Sequence, residues 1–188
     1  FANDYYDHLK GADDERQLAP ARAVASGLIP ARTMYIAAYL TLAIGFALGL
    51  FLMKISGAGW PLLAVGVASV VSAVCYTAGP FSLAYVGLGD VFVVLFFGLV
   101  ATGATHYVLV AHCGLELTPS WWSCLSAGLV VNNLLVVINH CDPDEDSTNG
   151  KRTLAVRLGM TFGVWLYLGG PFIALACCPW LESGLAWT

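Results

Sequence analysis

Long apolar stretches separated by short polar segments make up most of the chain. Five of them, at residues 33–53, 60–78, 90–111, 120–138 and 160–178, approach the roughly 20 apolar residues that a helix needs to cross a bilayer. Backbone polar groups in hydrocarbon need partners within their own segment, so even a strand-like run such as Val91-Phe92-Val93-Val94 is expected to be helical. The pattern therefore predicts an all-α, multi-pass transmembrane helical bundle.

Small residues within these stretches predict close contact between helices. Gly45 and Gly49 are separated by three residues, and Gly98, Ala101 and Gly103 cluster in a later stretch. Small side chains allow helix backbones to approach one another in a membrane. Both groups are therefore expected at helix–helix contacts.

The composition agrees with a membrane protein and excludes a nucleic-acid binder. Hydrophobic residues make up 59% of the chain and charged residues 11%, whereas soluble domains contain about 25% charged residues. Of the 20 charged residues (12 acidic and 8 basic), 16 lie in two segments, residues 1–32 and 139–159. The chain contains no basic stripe that could follow a nucleic-acid backbone.

These two charged segments are predicted to lie on the same, cytoplasmic, side of a membrane. Four apolar stretches separate them, so both must emerge on one face and can meet over one cavity. The polar segment at 54–59 contains only one basic residue, and the one at 112–119 contains none. Basic residues favour the cytoplasmic side, and most of them lie in the two segments: Lys10, Arg16, Arg22, Arg32, Lys151, Arg152 and Arg157.

Each charged segment contains a cluster of acidic residues that could hold a metal ion. Asp4 and Asp7 are spaced to share one face of a helix, as are Asp142 and Asp146 if a helix continues past Pro143. Carboxylates beside a membrane are costly without a partner. A hard cation such as Mg²⁺, which binds carboxylates and phosphate oxygens together, is the expected partner. Ordinary solvated acidic loops are the alternative.

Four blocks of sequence resemble the UbiA-type intramembrane prenyltransferases. They are residues 3–13 (NDYYDHLKGAD), 24–28 (VASGL), 76–90 (YTAGP followed by AYVGLGD) and 150–159 (GKRTLAVRLG). Within that family the chain looks most like the 1,4-dihydroxy-2-naphthoate polyprenyltransferases of menaquinone biosynthesis. Family members are nine-helix proteins, and this chain begins at Phe1 inside a polar motif. We therefore expect residues 1–188 to be one transmembrane prenyltransferase domain that is incomplete at both ends.

The resemblance implies an enzyme of the bacterial cytoplasmic (inner) membrane. It would transfer a polyprenyl group from polyprenyl diphosphate to 1,4-dihydroxy-2-naphthoate, with loss of diphosphate and carbon dioxide, giving demethylmenaquinone. Asp4, Asp7, Asp142 and Asp146 would hold Mg²⁺, which assists departure of the diphosphate. The residues expected to bind the substrates are Asn3, Lys10, Arg22, Tyr76, Asn139, Lys151 and Arg152.

Asp90 is the remaining acid with an expected catalytic role. It opens an apolar stretch after Gly87-Leu88-Gly89, where an acid can cap a helix and interact favourably with its dipole. The other interpretation is that Asp90 orients or deprotonates the hydroxyl of the acceptor. Tyr5, Tyr6, Tyr76 and Tyr85 are candidates for cation–π stabilisation of an allylic cation, or else ordinary packing residues.

The second acidic motif differs from the pattern usual in the family. Asn139, Asp142 and Asp146 match, but Ile138 stands where an asparagine is usual and Cys141 where an arginine is usual. The missing arginine removes a bidentate partner for phosphate or carboxylate. Two alternatives therefore stay open: a prenyltransferase for another aromatic acceptor such as 4-hydroxybenzoate, or a degenerate, non-catalytic membrane protein.

Two further asparagines lie earlier on the same predicted helix. Asn132 and Asn133 have the wrong spacing to Asp142 to be the asparagine pair of the motif. Polar side chains within a membrane helix commonly form hydrogen bonds to neighbouring helices. We expect both to have this role.

Overall fold

The computed structural model describes residues 1–11, 22–78, 82–83, 85–115, 121–141 and 143–177, without the side chain of Glu145. Asp142, a predicted metal ligand, lies outside them, as does Arg16. All regular elements in the described part of the chain are helices, which confirms the predicted all-α class. They are α1 (Ala2–Leu9), α2 (Ala31–Ser56), α3 (Trp60–Thr77), α4 (Gly89–Val93), a π-helical segment (Val94–Thr102), α5 (Gly103–Cys113), α6 (Trp121–Cys141), α7 (Pro143–Thr148), α8 (Leu154–Leu158) and α9 (Met160–Ala176).

Four helices are long and apolar enough to cross a membrane. They are Ala31–Ser56, Trp60–Thr77, Gly89–Cys113, which joins α4, the π-helical segment and α5, and Trp121–Cys141. The fifth apolar stretch is also a helix, but α9 has only 17 residues. At about 1.5 Å per residue it is about 26 Å long, slightly less than the ~30 Å hydrocarbon core of a bilayer.

Glycine and proline set several of the helix ends. Gly57 after α2 and Gly114 after α5 adopt left-handed conformations, with φ of 70° and 65°, which end a helix readily. Pro61 lies in the first turn of α3, where its missing N–H has no helical partner to lose. Pro143 is likewise the first residue of α7, so a separate short helix carries Asp146.

Helix α6 packs very closely against the π-helical segment. A Cβ atom added at Gly98 would lie 2.5 Å from the carbonyl oxygen of Cys124, and one added at Gly128 would lie 2.5 Å from that of Val94. Side chains at either glycine would therefore push the two helices apart. The predicted close packing at Gly98 is confirmed.

Two adjacent asparagines of α6 join it to helices on either side. Asn132 Nδ2 donates to Asp90 Oδ1 at 3.1 Å, and Asn133 Nδ2 donates to the carbonyl oxygen of Tyr167 at 3.1 Å. The first hydrogen bond reaches α4 and the second reaches α9. The predicted hydrogen bonds between helices are confirmed for both residues.

The expectation of close packing was wrong for Gly45 and Gly49 of α2. A Cβ atom at either position would meet no described atom within 4 Å. Both glycines instead line an apolar cleft of about 690 Å³ between α2, α3 and the α4–α5 span. The ring of Phe46 on α2 lies 3.6 Å from the Cβ position of Gly66 on α3. This bulky side chain therefore occupies space between α2 and α3 where closer packing at the glycines would have brought the helices together.

Candidate functional site

The two charged segments, residues 1–32 and 139–159, each of which contains an acidic cluster, meet at one end of the bundle. Lys151 Nζ lies 3.3 Å from Asp7 Oδ2 and 3.8 Å from Asp146 Oδ1. One ammonium group thus contacts a carboxylate from each motif, although the motifs are far apart in sequence. This contact confirms that the two segments share a face of the bundle.

Asp7 is the centre of this junction. Its side chain is completely buried, with 0% exposure. Arg22 Nη2 lies 3.4 Å from Asp7 Oδ2, and the Tyr85 hydroxyl donates to Asp7 Oδ1 at 3.1 Å. A buried carboxylate is tolerated only with charged and hydrogen-bonding partners. Asp7 has both, and through them it ties α1 to residues 22, 85 and 151.

Lys10 extends the same cluster. Its Nζ donates to the carbonyl oxygen of Thr77 at 2.9 Å and to Ser82 Oγ at 3.1 Å, and lies 4.0 Å from the ring centroid of Tyr85. Although the residue is largely exposed, partial burial lowers the pKa of the Lys10 ammonium because it disfavours the charged form. Asp7 acts in the opposite direction and Lys151 in the same one.

Tyr85 already has cationic neighbours. Besides Lys10, the ammonium of Lys151 lies 5.3 Å from its ring centroid, within the range of a cation–π contact. One cation from each charged segment, Lys10 and Lys151, therefore lies close to the Tyr85 ring. Its backbone takes part as well, because the Arg152 N–H donates to the Tyr85 carbonyl oxygen at 2.9 Å.

A cavity of about 100 Å³ opens beside this cluster. Part of its lining comes from the polar segments and part from the helix ends of α3, α4 and α6. Seven of the predicted site residues line it: Asn3, Arg22, Tyr76, Asp90, Asn139, Asp146 and Lys151. Gly87, Gly89, Leu135, Ile138 and Thr153 complete the lining.

Asp90 presents a buried carboxylate at this cavity. It is 7% exposed and lies in the first turn of α4. The predicted cap position was wrong, because Leu88 occupies it and Asp90 Oδ1 accepts from Asn132. Asp90 nevertheless lies in the first turn, where the helix dipole favours an acid. The hydroxyl of Tyr76 lies 3.1 Å from the Cβ position of Gly89, so this glycine lets the tyrosine approach.

A sharp turn beside the cavity depends on glycine. Gly87 has φ of 76°, and a Cβ atom there would collide with the carbonyl oxygen of Arg152. Arg157 Nη2 holds the turn by donating to the carbonyl oxygen of Val86 at 2.9 Å. Arg157 is not among the predicted site residues, although it lies in the family-like block 150–159.

Several predicted site residues do not line the cavity. Asp4 Oδ1 accepts from the backbone N–H of Val24 at 3.3 Å, so it holds the turn after Arg22. The residue Arg152 is exposed, and its backbone rather than its side chain contacts the site. Asp7 and Lys10 lie in the adjoining cluster, and Asp142 is outside the described residues.

The chain matches the UbiA prenyltransferase family over residues 1–188. The chain belongs to the UbiA prenyltransferase family. The 1,4-dihydroxy-2-naphthoate octaprenyltransferase of Haemophilus influenzae is 35% identical over 85% of this chain and 52% of its own length. The enzyme of the same name from Mycobacterium tuberculosis is 36% identical over 98% of this chain and 64% of its own.

A more distant relative lies outside the bacteria. The UbiA prenyltransferase domain-containing protein 1 of Dictyostelium discoideum is 27% identical over 89% of this chain and 51% of its own length. The chain thus spans between half and two thirds of the length of these relatives. No solved structure matches it.

UbiA prenyltransferases generally use a divalent metal, and the donor atoms here suit a hard cation. Asn3, Asn139 and Asp146 bring oxygen donors to the cavity, the donor type that Mg²⁺ prefers. The described residues contain no group of three or more His, Cys, Asp and Glu side chains that could hold a metal. A positive charge nevertheless sits between the two acidic motifs, since Lys151 contacts Asp7 and Asp146.

Proposed function

We propose that the protein containing this chain transfers a polyprenyl group from polyprenyl diphosphate to 1,4-dihydroxy-2-naphthoate, with loss of diphosphate and carbon dioxide. The main support is the cavity, where residues of both acidic segments, two basic side chains and Asp90 converge. The bacterial relatives named 1,4-dihydroxy-2-naphthoate octaprenyltransferase support the choice of acceptor. The reaction would take place in a bacterial inner membrane, with both acidic segments cytoplasmic.

The two charged segments would bind the diphosphate. Because Arg22 and Lys151 line the cavity, their charges are placed to contact phosphate oxygens. Both also form ion pairs with Asp7. When bound, Mg²⁺ would neutralise the leaving diphosphate as a Lewis acid. We expect it to be held by Asp4, Asp7, Asp142 and Asp146.

The helix ends would bind the aromatic acceptor. The carboxylate of Asp90 would accept the hydrogen bond of a ring hydroxyl and take its proton, which makes the ring a better nucleophile. Tyr76, Leu135 and Ile138 also line this cavity and would pack against the ring. Together these side chains would exclude water, which would otherwise react with the allylic centre.

The assay for this function uses membranes containing the full-length protein. Labelled polyprenyl diphosphate, Mg²⁺ and 1,4-dihydroxy-2-naphthoate are supplied, with or without chelator, and prenylated product is measured. We expect product that disappears with chelator and returns with excess Mg²⁺. Chelator-resistant product would contradict the metal requirement, and no prenylated product from any acceptor supplied would contradict the enzyme assignment.

A second acceptor belongs in the same assay. Ile138, which stands in place of the usual asparagine, lines the cavity, so this wall differs from the family pattern. Prenylation of 4-hydroxybenzoate instead of the naphthoate would place the protein in a sister branch. If Cys141→Arg restores product where the parent gives none, the parent is a degenerate copy.

A further inference from the structure

The α4–α5 span and α6 run antiparallel in a register that repeats every turn. Gly98 faces Cys124, and one turn earlier Val94 faces Gly128. The sum of the two residue numbers is constant along this contact, and the backbones approach closely at both steps. The next step in the same register pairs residue 90 with residue 132.

That third step is polar rather than apolar. Asp90 is 7% exposed and Asn132 is 4% exposed, and Asn132 Nδ2 donates to Asp90 Oδ1 at 3.1 Å. Asp90 lines the cavity, whereas Asn132 does not. The hydrogen bond to Asp90 therefore connects Asn132 to the cavity. The tight glycine contacts set the distance at which its amide reaches the carboxylate.

The partner of Asp90 differs in kind from the partners of Asp7. Asp7 is matched by two cations, while the hydrogen bond to Asp90 comes from a neutral amide. An amide fixes the orientation of a carboxylate without cancelling its charge. A carboxylate has about four acceptor positions, so Asp90 keeps capacity for a hydroxyl donor in the cavity.

We propose that Asn132 is a positioning residue for the aromatic acceptor: it holds the Asp90 carboxylate so that the carboxylate accepts the hydrogen bond of a phenolic hydroxyl. This inference rests on the proposed function. Asn132 contributes to acceptor binding and turnover and has no part in binding the polyprenyl diphosphate.

The test compares Asn132→Leu with Asn133→Leu in the full-length protein in membranes. Asn133 is a matched control, because it is adjacent, lies on the same helix and makes one hydrogen bond between helices, but to Tyr167 of α9. Loss of a hydrogen bond to a charged group lowers a binding or rate constant by about 10- to 100-fold. We expect kcat/KM for the acceptor to fall by about that factor in Asn132→Leu. The KM for the donor should stay unchanged, and Asn133→Leu should affect neither substrate selectively.

A double-variant comparison separates positioning from mere structure. If Asn132 acts through Asp90, then Asn132→Leu has no further effect on acceptor kcat/KM in an Asp90→Ala background, which lacks the acceptor oxygen. The smaller Asn132→Ala variant, which also lacks the donor, repeats the test if the leucine variant does not fold. Acceptor affinity without donor, followed by naphthoate fluorescence, should fall in the same variants.

The inference is overturned if Asn132→Leu weakens binding of the donor as much as binding of the acceptor, or retains its full effect in the Asp90→Ala background. Failure of the proposed function looks different. If the wild type prenylates 4-hydroxybenzoate but not the naphthoate, the proposed acceptor is wrong and the same comparison is made with that phenol. No wild-type turnover of any acceptor overturns both proposals.

Discussion

Two glycine pairs in this chain have opposite surroundings. Gly98 and Gly128 lie where the π-helical segment and α6 touch through their backbones, while Gly45 and Gly49 face an apolar cleft with no described atom near them. The first contact ends in buried polar residues and a small cavity, whereas the second borders a cleft lined mostly by apolar residues. Glycine spacing thus signals that helices can approach closely, and the facing residues decide whether they do.

The largest effect is expected where charge is buried at the polar end of the bundle. Asp7→Asn should lower the free energy of unfolding by about 3 kcal/mol, because it leaves Arg22 and Lys151 without their shared carboxylate. Unfolding in detergent measures this. Asp4→Asn is the control, since an amide oxygen can still accept from Val24, and its effect should be much smaller. Equal effects would mean that Asp7 is not the centre of the junction.

The next largest loss of stability is expected at the tight glycine contact between the π-helical segment and α6. Gly128→Ala places a Cβ atom 2.5 Å from the carbonyl oxygen of Val94, and backbone cannot move aside easily. We expect a loss of about 2 kcal/mol in unfolding free energy, typical of overpacking. A neutral result would show that the π-helical segment and α6 are not in backbone contact.

Tyr85→Phe should have a smaller effect that distinguishes the two roles of this side chain. It removes the hydroxyl that donates to Asp7 but keeps the ring beside Lys10 and Lys151. Loss of a hydrogen bond to a charged group predicts a destabilisation of about 1.5 kcal/mol. Tyr85→Leu should cost more, because it also removes the ring. If the two variants unfold alike, the contacts between the ring and the ammonium groups contribute nothing.

The smallest effect is expected in the apolar cleft, and it has the opposite sign. Gly45→Ala introduces a methyl group that meets no described atom within 4 Å, and alanine favours a helix over glycine by up to about 1 kcal/mol. The variant should therefore unfold at a slightly higher temperature than the wild type. Destabilisation comparable to that of Gly128→Ala would show that another group packs against Gly45.

Helix positions could be predicted from the sequence because the hydrocarbon core selects length and apolarity. The stretch predicted at 60–78 is the helix Trp60–Thr77, and that at 120–138 is Trp121–Cys141. The π-helical segment was not predicted, since its residues read as a uniformly apolar helix. The segment packs against α6, which lies far from it in sequence, and a local pattern does not report such a contact.

The site could be predicted as a set of residues but not as an arrangement. The family resemblance assigned Asp146, Asn139 and Asp90 to one site, and they line one cavity. The pairing of Asp90 with Asn132 depends on the register of two helices that glycines bring together. No short-range pattern reports that register, so the sequence could only predict that Asn132 bonds to another helix.

The most direct test of the account uses the two aspartates of α7. Asp146 lines the cavity, while Asp144 is two residues away and exposed. Prenyl transfer to 1,4-dihydroxy-2-naphthoate would be measured for Asp146→Asn and Asp144→Asn in the full-length protein. The account predicts that Asp146→Asn loses at least about 100-fold in rate, as expected for a group that stabilises transition-state charge, while Asp144→Asn keeps near wild-type activity. Equal rates for the two variants would contradict the assignment of this cavity as the active site.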